Sequence, residues 1–161
     1  IEKFLPGSKI IHILRYGPDV IASLYEVTHK YPQWWDGAWD IERCITRWIQ
    51  SVEISFRHSL KPNHILVRYE DLLNNPAFIL EELCDFIGIE FDSKILEDYS
   101  LAAKQVSFEE AGRTVMESIR ANHSNKFYSL FNEEQQKYIL EQINSIDLKI
   151  SEGCGVTREQ M

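Results

Sequence analysis

Two side chains near the start of the chain have the types and spacing to hold an anion. Arg15 offers a guanidinium able to meet a phosphate with two parallel N–H bonds, and Ser23, eight residues on, offers a hydroxyl. Between them the periodicity changes. Ile10, Ile11, Ile13 and Leu14 form an aliphatic run broken only by His12, the pattern of a parallel strand buried on both faces. Tyr16-Gly17-Pro18 then interrupts the chain, and from Asp19 onward Val20, Ile21, Leu24 and Tyr25 fall at helical spacing. A strand, a tight loop and a helix set Arg15 at the carboxyl end of the strand and Ser23 about one turn into the helix. In open α/β sheets that end is where ligands bind. Taken singly, a salt bridge to a neighbouring carboxylate accounts for Arg15, and a hydrogen bond to its own helix backbone accounts for Ser23.

Other candidates lie further along. His64-Ile65-Leu66-Val67-Arg68 reads as a second short strand, and Tyr69-Glu70-Asp71-Leu72 follows it. From residue type alone Tyr69 is an aromatic at the core edge, and Glu70 and Asp71 are a carboxylate pair at a helix start. Gln105-Val106-Ser107-Phe108-Glu109-Glu110 is a loop turning into a helix, and Arg120 an exposed arginine at a helix end. Trp34, Trp35 and Trp39 crowd a loop broken by Pro32 and Gly37, more aromatic surface than a loop leaves in water. Packing beneath the following helix is the reading favoured for them. His12 reads as a core histidine with its hydrogen bonds satisfied, and His29, beside the tryptophan loop, as structural rather than catalytic. No group of histidines and carboxylates has metal-ligand spacing, so no metal is expected.

These residues depend on a packed frame, and the composition supplies one. At 161 residues, 44% apolar and 12% aromatic, the chain has enough to bury one core. Asp40 is placed to cap a helix whose apolar stripe is Ile41, Cys44, Ile45, Trp48, Val52 and Phe56; Arg43, Arg47, Gln50 and Arg57 fall off that stripe, on a face expected to be solvated. Asn75-Pro76 starts another helix, with Ile79, Leu80, Leu83, Phe86 and Ile87 inward and Gly88 at its end. Asp92-Ser93 begins a helix expected to reach Leu101, and Asn132 caps a last one that turns Tyr138, Ile139, Ile143 and Ile146 inward. Residues 151–161 read as a tail. A net charge of −8 argues against non-specific nucleic-acid binding, so an anionic ligand must be met by local arginines. Cys44, Cys84 and Cys154 are widely spaced, which suggests neither zinc site nor disulfide scaffold and fits a reducing, cytoplasmic setting. No run has the length of a membrane span.

In order and spacing these motifs resemble the sulfotransferases that use 3′-phosphoadenosine 5′-phosphosulfate (PAPS). That family carries a strand, loop and helix reading roughly L-R-D-P-R-D-V-x-x-S, and Leu14-Arg15-Tyr16-Gly17-Pro18-Asp19-Val20-Ile21-Ala22-Ser23 keeps its Arg, Asp, Val and Ser. Tyr16-Gly17-Pro18 stands where the family usually has Asp-Pro-Arg. Tyr69-Glu70-Asp71-Leu72 matches the family's Y-E-D-L, Ser107-Phe108 its T-S-F segment, and Arg120 with Phe127 and Phe131 its R-K-G-x-x-G-D-W-K-x-x-F. The resemblance implies an α/β fold, a P-loop-NTPase-like three-layer arrangement with a parallel sheet, of which residues 1–150 are an incomplete C-terminal part rich in helices. It implies PAPS, or its product adenosine 3′,5′-bisphosphate, as the nucleotide. Arg15, Ser23 and Arg120 would hold the 3′-phosphate, Tyr69 and Phe108 would lie at the adenine, and Ser107 would run alongside. Trp34 and Trp35 would wall a pocket for a small-molecule or carbohydrate acceptor. The family's phosphosulfate loop and catalytic base fall before Ile1, so this chain alone is expected to be inactive. Two other readings stay open: a P-loop nucleoside or sugar kinase with Arg15 and Arg120 as lid arginines, and a non-catalytic interaction domain that retains the fold.

Overall fold

β1 (Ile10–Leu14) and β2 (His64–Arg68) lie side by side in parallel, Ile10 opposite His64 and Leu14 opposite Arg68. A parallel pair needs a crossover between its strands. Here it is a helical hairpin, α1 (Gly17–Lys30) and α2 (Ile41–Ser59), joined through a single 3-10 turn at Pro32–Trp34. The computed structural model describes residues 3–97 and 125–153. The chain falls into two compact units, Ile1–Tyr69 with His123–Met161, and Glu70–Asn122.

In the first unit α1 begins at Gly17, two residues before the Asp19 that the periodicity suggested. Pro18 sits in the opening turn, where its fixed φ is already helical and its missing N–H costs no intrahelical bond, and Asp19 complements the helix dipole there. Asp40 caps α2 as expected, its carboxylate accepting the Arg43 amide at 2.7 Å. After α3 (Tyr69–Asn74) and α4 (Pro76–Ile87), α5 (Lys126–Leu130) and α6 (Glu133–Gly153) complete the unit. Asn132 and Gln135 open α6 with a reciprocal pair of side-chain-to-amide bonds at 2.9 and 3.1 Å. α6 runs through Gly153, three residues into the stretch read as a tail. The core joins Leu14 of β1, Ile21 of α1, Cys44, Trp48 and Val52 of α2, Phe127 of α5, and Ile139 and Ile143 of α6. Full burial of each large aliphatic or aromatic side chain contributes about 1.5–3 kcal/mol.

β1 is not buried on both faces. Its Ile10, His12 and Leu14 side faces α2, while Ile11 and Ile13 are exposed, Ile13 to 59%. Among the described residues the strand is therefore covered from the hairpin side only, although its aliphatic run, broken only by His12, would suit burial on both faces.

In the second unit α3 (Tyr69–Asn74), which crosses the boundary at Tyr69, leads into α4 (Pro76–Ile87). α4 buries Ile79 and Cys84 and stops at Gly88, whose φ of 88° is left-handed; the Gly88 and Ile89 amides both donate to the Cys84 carbonyl. Residues 94–97 are helical, and the remainder of the helix expected to reach Leu101 lies outside the described residues.

Candidate functional site

The parallel register decides where the first candidates meet. Leu14 and Arg68 are paired, so Arg15 and Tyr69, the residues that directly follow the two strands, emerge together at the carboxyl end of the sheet. The Arg15 guanidinium lies over the Tyr69 ring, 5.0 Å from its centroid. One terminal nitrogen of Arg15 donates to Asp19 Oδ2 at 2.9 Å, one helix turn along α1. The Arg15 carbonyl accepts the Trp48 indole N–H at 3.2 Å, which ties the strand end to the middle of α2. Arg15 Nε is buried and has no acceptor among the described residues. A buried donor left without a partner carries a free-energy penalty that an anion there would relieve.

Ser23 is reached through the helix rather than by direct contact. It follows Asp19 by four residues, so the two share one face of α1, one turn apart. Its side chain is exposed and, unlike Thr28, which donates to the Tyr25 carbonyl at 3.1 Å, it makes no bond to its own backbone among the described residues. Arg15, Asp19 and Ser23 thus run up one side of the helix from the strand end. Ser107, Phe108 and Arg120 lie outside the described residues.

The tryptophan loop divides between packing and display. Trp39 is buried as expected: its indole N–H donates to the Trp35 carbonyl at 2.9 Å and its amide to Thr28 Oγ1 at 3.2 Å. Trp35 stands edge-on to Trp39, and Trp34, 64% exposed, stacks on Tyr31 at 4.8 Å. Packing under α2 therefore holds for Trp39 and not for Trp34. Trp34, Trp35 and Trp39 border an open groove of about 630 Å³ that Arg43 and Arg47 face from α2.

Among the described histidines, His29 bonds the Tyr25 carbonyl at 2.8 Å and stacks on the Tyr25 ring, which makes it part of the α1 end. His12 is partly buried and satisfied, its Nε2 2.8 Å from His64 Nδ1, with His58 of α2 stacked nearby. Burial, then the proximity of His64 and His58, lowers the His12 pKa. Among the described residues no group of three or more His, Cys, Asp or Glu side chains is arranged to hold a metal ion.

The salt bridge that residue type alone suggests for Arg15 is present, with Asp19 as the carboxylate that sequence reasoning left unnamed; it missed Gly17 and Trp48 as parts of the site. The Arg15–Asp19 spacing of four was a readable signal for an ion pair once a helix begins at Gly17. A Cβ on Gly17 would lie 3.0 Å from both Trp48 Cζ2 and Ile143 Cδ1, and only packing reveals that.

Two solved structures share this fold. The sulfotransferase domain from the curacin biosynthetic pathway superposes with a TM-score of 0.62 at 20% identity, covering 89% of this chain and 56% of that one. The sulfotransferase domain from the Synechococcus PCC 7002 olefin synthase gives 0.60 at 21%, covering 89% and 52%. The chain thus spans about half the length of the solved domains it matches. Among curated proteins there is no significant match. The mixed α/β arrangement with its parallel strands is accordingly that of a sulfotransferase-type fold. A model of the sulfotransferase family matches residues 1–93, more than half of the chain, and the chain belongs to that family.

Proposed function

We propose that this chain forms the nucleotide-clamping part of a PAPS-dependent sulfotransferase, with Arg15 and Ser23 on the 3′-phosphate and Tyr69 beside the adenine. One observation carries the reading. Arg15 is held on two sides, by Asp19 and by the Tyr69 ring, yet its buried Nε has no acceptor among the described residues. A guanidinium so fixed loses little further freedom when it meets an oxyanion.

The parts divide the work by chemistry. Arg15 binds the anion, and Asp19 orients the guanidinium while balancing its charge. Ser23, exposed one turn beyond Asp19, offers a hydroxyl to the same face. Tyr69 offers one ring face to Arg15 and keeps the rest of its aromatic surface for a base. Trp34 and Trp35 are assigned to the acceptor side. When bound, PAPS supplies the activated sulfuryl group for transfer to a hydroxyl or amine. No described histidine is assigned as base: His29 is engaged with the Tyr25 carbonyl and His12 with His64.

The test is a calorimetric comparison of adenosine 3′,5′-bisphosphate with adenosine 5′-monophosphate on the intact protein. The bisphosphate is expected to bind more tightly by about 1.5–3 kcal/mol, the range for hydrogen bonds to a charged group. Equal affinities would overturn the reading.

A further inference from the structure

We propose that the groove between the Pro32–Trp34 turn and α2 takes an acceptor that is both ring-shaped and already anionic, a sugar carrying a carboxylate or a sulfate ester. This deepens the acceptor reading above and rests on it.

The cationic wall comes first. In a chain of net charge −8, α2 turns Arg43 and Arg47, four residues apart and so one above the other, into the same groove. Among the described residues, the one carboxylate on the groove wall is Asp36, 3.8 Å from Arg43. The Asp36 side chain is 96% exposed, so water screens that pair, and the Arg43 guanidinium rests on the Trp39 ring, 4.4 Å from its centroid, at the groove wall. Arg47 makes no side-chain ion pair among the described residues. A local excess of positive charge on an acidic protein selects anions.

The aromatic wall is held ready. Trp34 lies nearly parallel to Tyr31, with 12° between the ring planes, and leaves its other surface in solvent. Trp35 is fixed at 86° to the buried Trp39. Two rings braced in this way present flat apolar surface at small entropic cost on binding. Thr46 and Gln50, also on the groove wall, add a hydroxyl and an amide suited to sugar hydroxyls. An opening of about 630 Å³ is within the range of small-ligand sites. The same helix reaches the nucleotide clamp: Arg47 precedes Trp48, whose indole binds the Arg15 carbonyl, and Arg43 lies about 7.5 Å along the axis from Trp48.

The four tryptophan indole N–H resonances make the test. 4-Nitrophenyl β-D-glucuronide and 4-nitrophenyl β-D-glucoside, which differ in the carboxylate, are titrated in parallel with benzoate and adenosine 3′,5′-bisphosphate. The glucuronide is expected to shift the Trp34 and Trp35 signals, leave that of buried Trp48 in place, and bind about tenfold or more tighter than the glucoside. Arg47→Gln is expected to erase that preference, with the unmoved Trp48 signal showing that the variant is folded. Equal binding of the two glycosides, or a preference that survives Arg47→Gln, overturns the inference, and benzoate binding as tightly as the glucuronide overturns its sugar part. Failure of the bisphosphate to bind, with the glucuronide preference intact, removes the donor reading and supports the groove as an acidic-sugar site.

Discussion

Arg15 and Tyr69 meet at the end of two parallel strands, the guanidinium 5.0 Å from the ring centroid, because each residue directly follows a paired strand position. Neither is placed by a flexible loop. The register that pairs Leu14 with Arg68 brings them together, and the Trp48 indole on the Arg15 carbonyl keeps that corner in place.

Tyr69→Leu removes both the platform for Arg15 and the aromatic surface assigned to adenine. It is expected to weaken adenosine 3′,5′-bisphosphate binding by about 1–2 kcal/mol, whereas Tyr69→Phe, which keeps the ring, changes it by less than about 0.5 kcal/mol. Isothermal calorimetry on the two variants checks this, and equal losses in both would point to the hydroxyl instead of the ring.

Gly17, at the start of α1, packs against Trp48 of α2 and Ile143 of α6. A Cβ there would stand 3.0 Å from Trp48 and from Ile143, both buried, so Gly17→Ala overfills the core. The expected cost is about 1–3 kcal/mol in a urea melt. The same change displaces the indole that binds the Arg15 carbonyl, and nucleotide affinity should fall with stability. An unchanged melt would show that the helices part at no cost.

His12 gives folding a pH dependence. Burial, and then the charges of His64 and His58, disfavour its protonated form, so its folded pKa lies below the ordinary 6.5. The unfolded chain then binds the proton first as pH falls, which makes this contribution complete above the ordinary value and lost progressively below it. The urea midpoint should therefore drop between about pH 7.5 and about pH 5.5, and His12→Gln should lessen the drop. A variant with the same pH slope as the parent would remove His12 as its source.

The Cys44 thiol is pushed up to about 11, first by burial and then by Asp40. Since the thiolate is the reactive form, Cys44 should resist a disulfide reagent at about pH 8 in the folded protein and react on unfolding. Mass mapping of the labelled site decides it, and rapid labelling of Cys44 in the native protein would contradict its burial.

Much of this was legible in the sequence, for identifiable reasons. β1, the Asp40 cap, the Asn75-Pro76 start and the Gly88 stop are local signals and fall where expected, although Asn75 precedes α4 without a side-chain cap bond. Arg15 and Tyr69 were legible as motif residues, but their contact depends on strand register, which no local pattern states. Gly17 read as a loop breaker because its real constraint, the Trp48 and Ile143 side chains, comes from distant parts of the chain. The exposed Ile11 and Ile13 show the opposite failure. An aliphatic run reports the burial a strand is suited to, and the described residues cover only one of its faces.

If Arg15 is the proposed anion-binding centre, its loss should be felt by the 3′-phosphate alone. Calorimetric titration of adenosine 3′,5′-bisphosphate into the intact protein and its Arg15→Ala variant, with adenosine 5′-monophosphate as control, reads this out. The variant should lose about 1.5–3 kcal/mol for the bisphosphate and little for the monophosphate. Bisphosphate affinity left unchanged by Arg15→Ala would remove Arg15 from the proposed clamp.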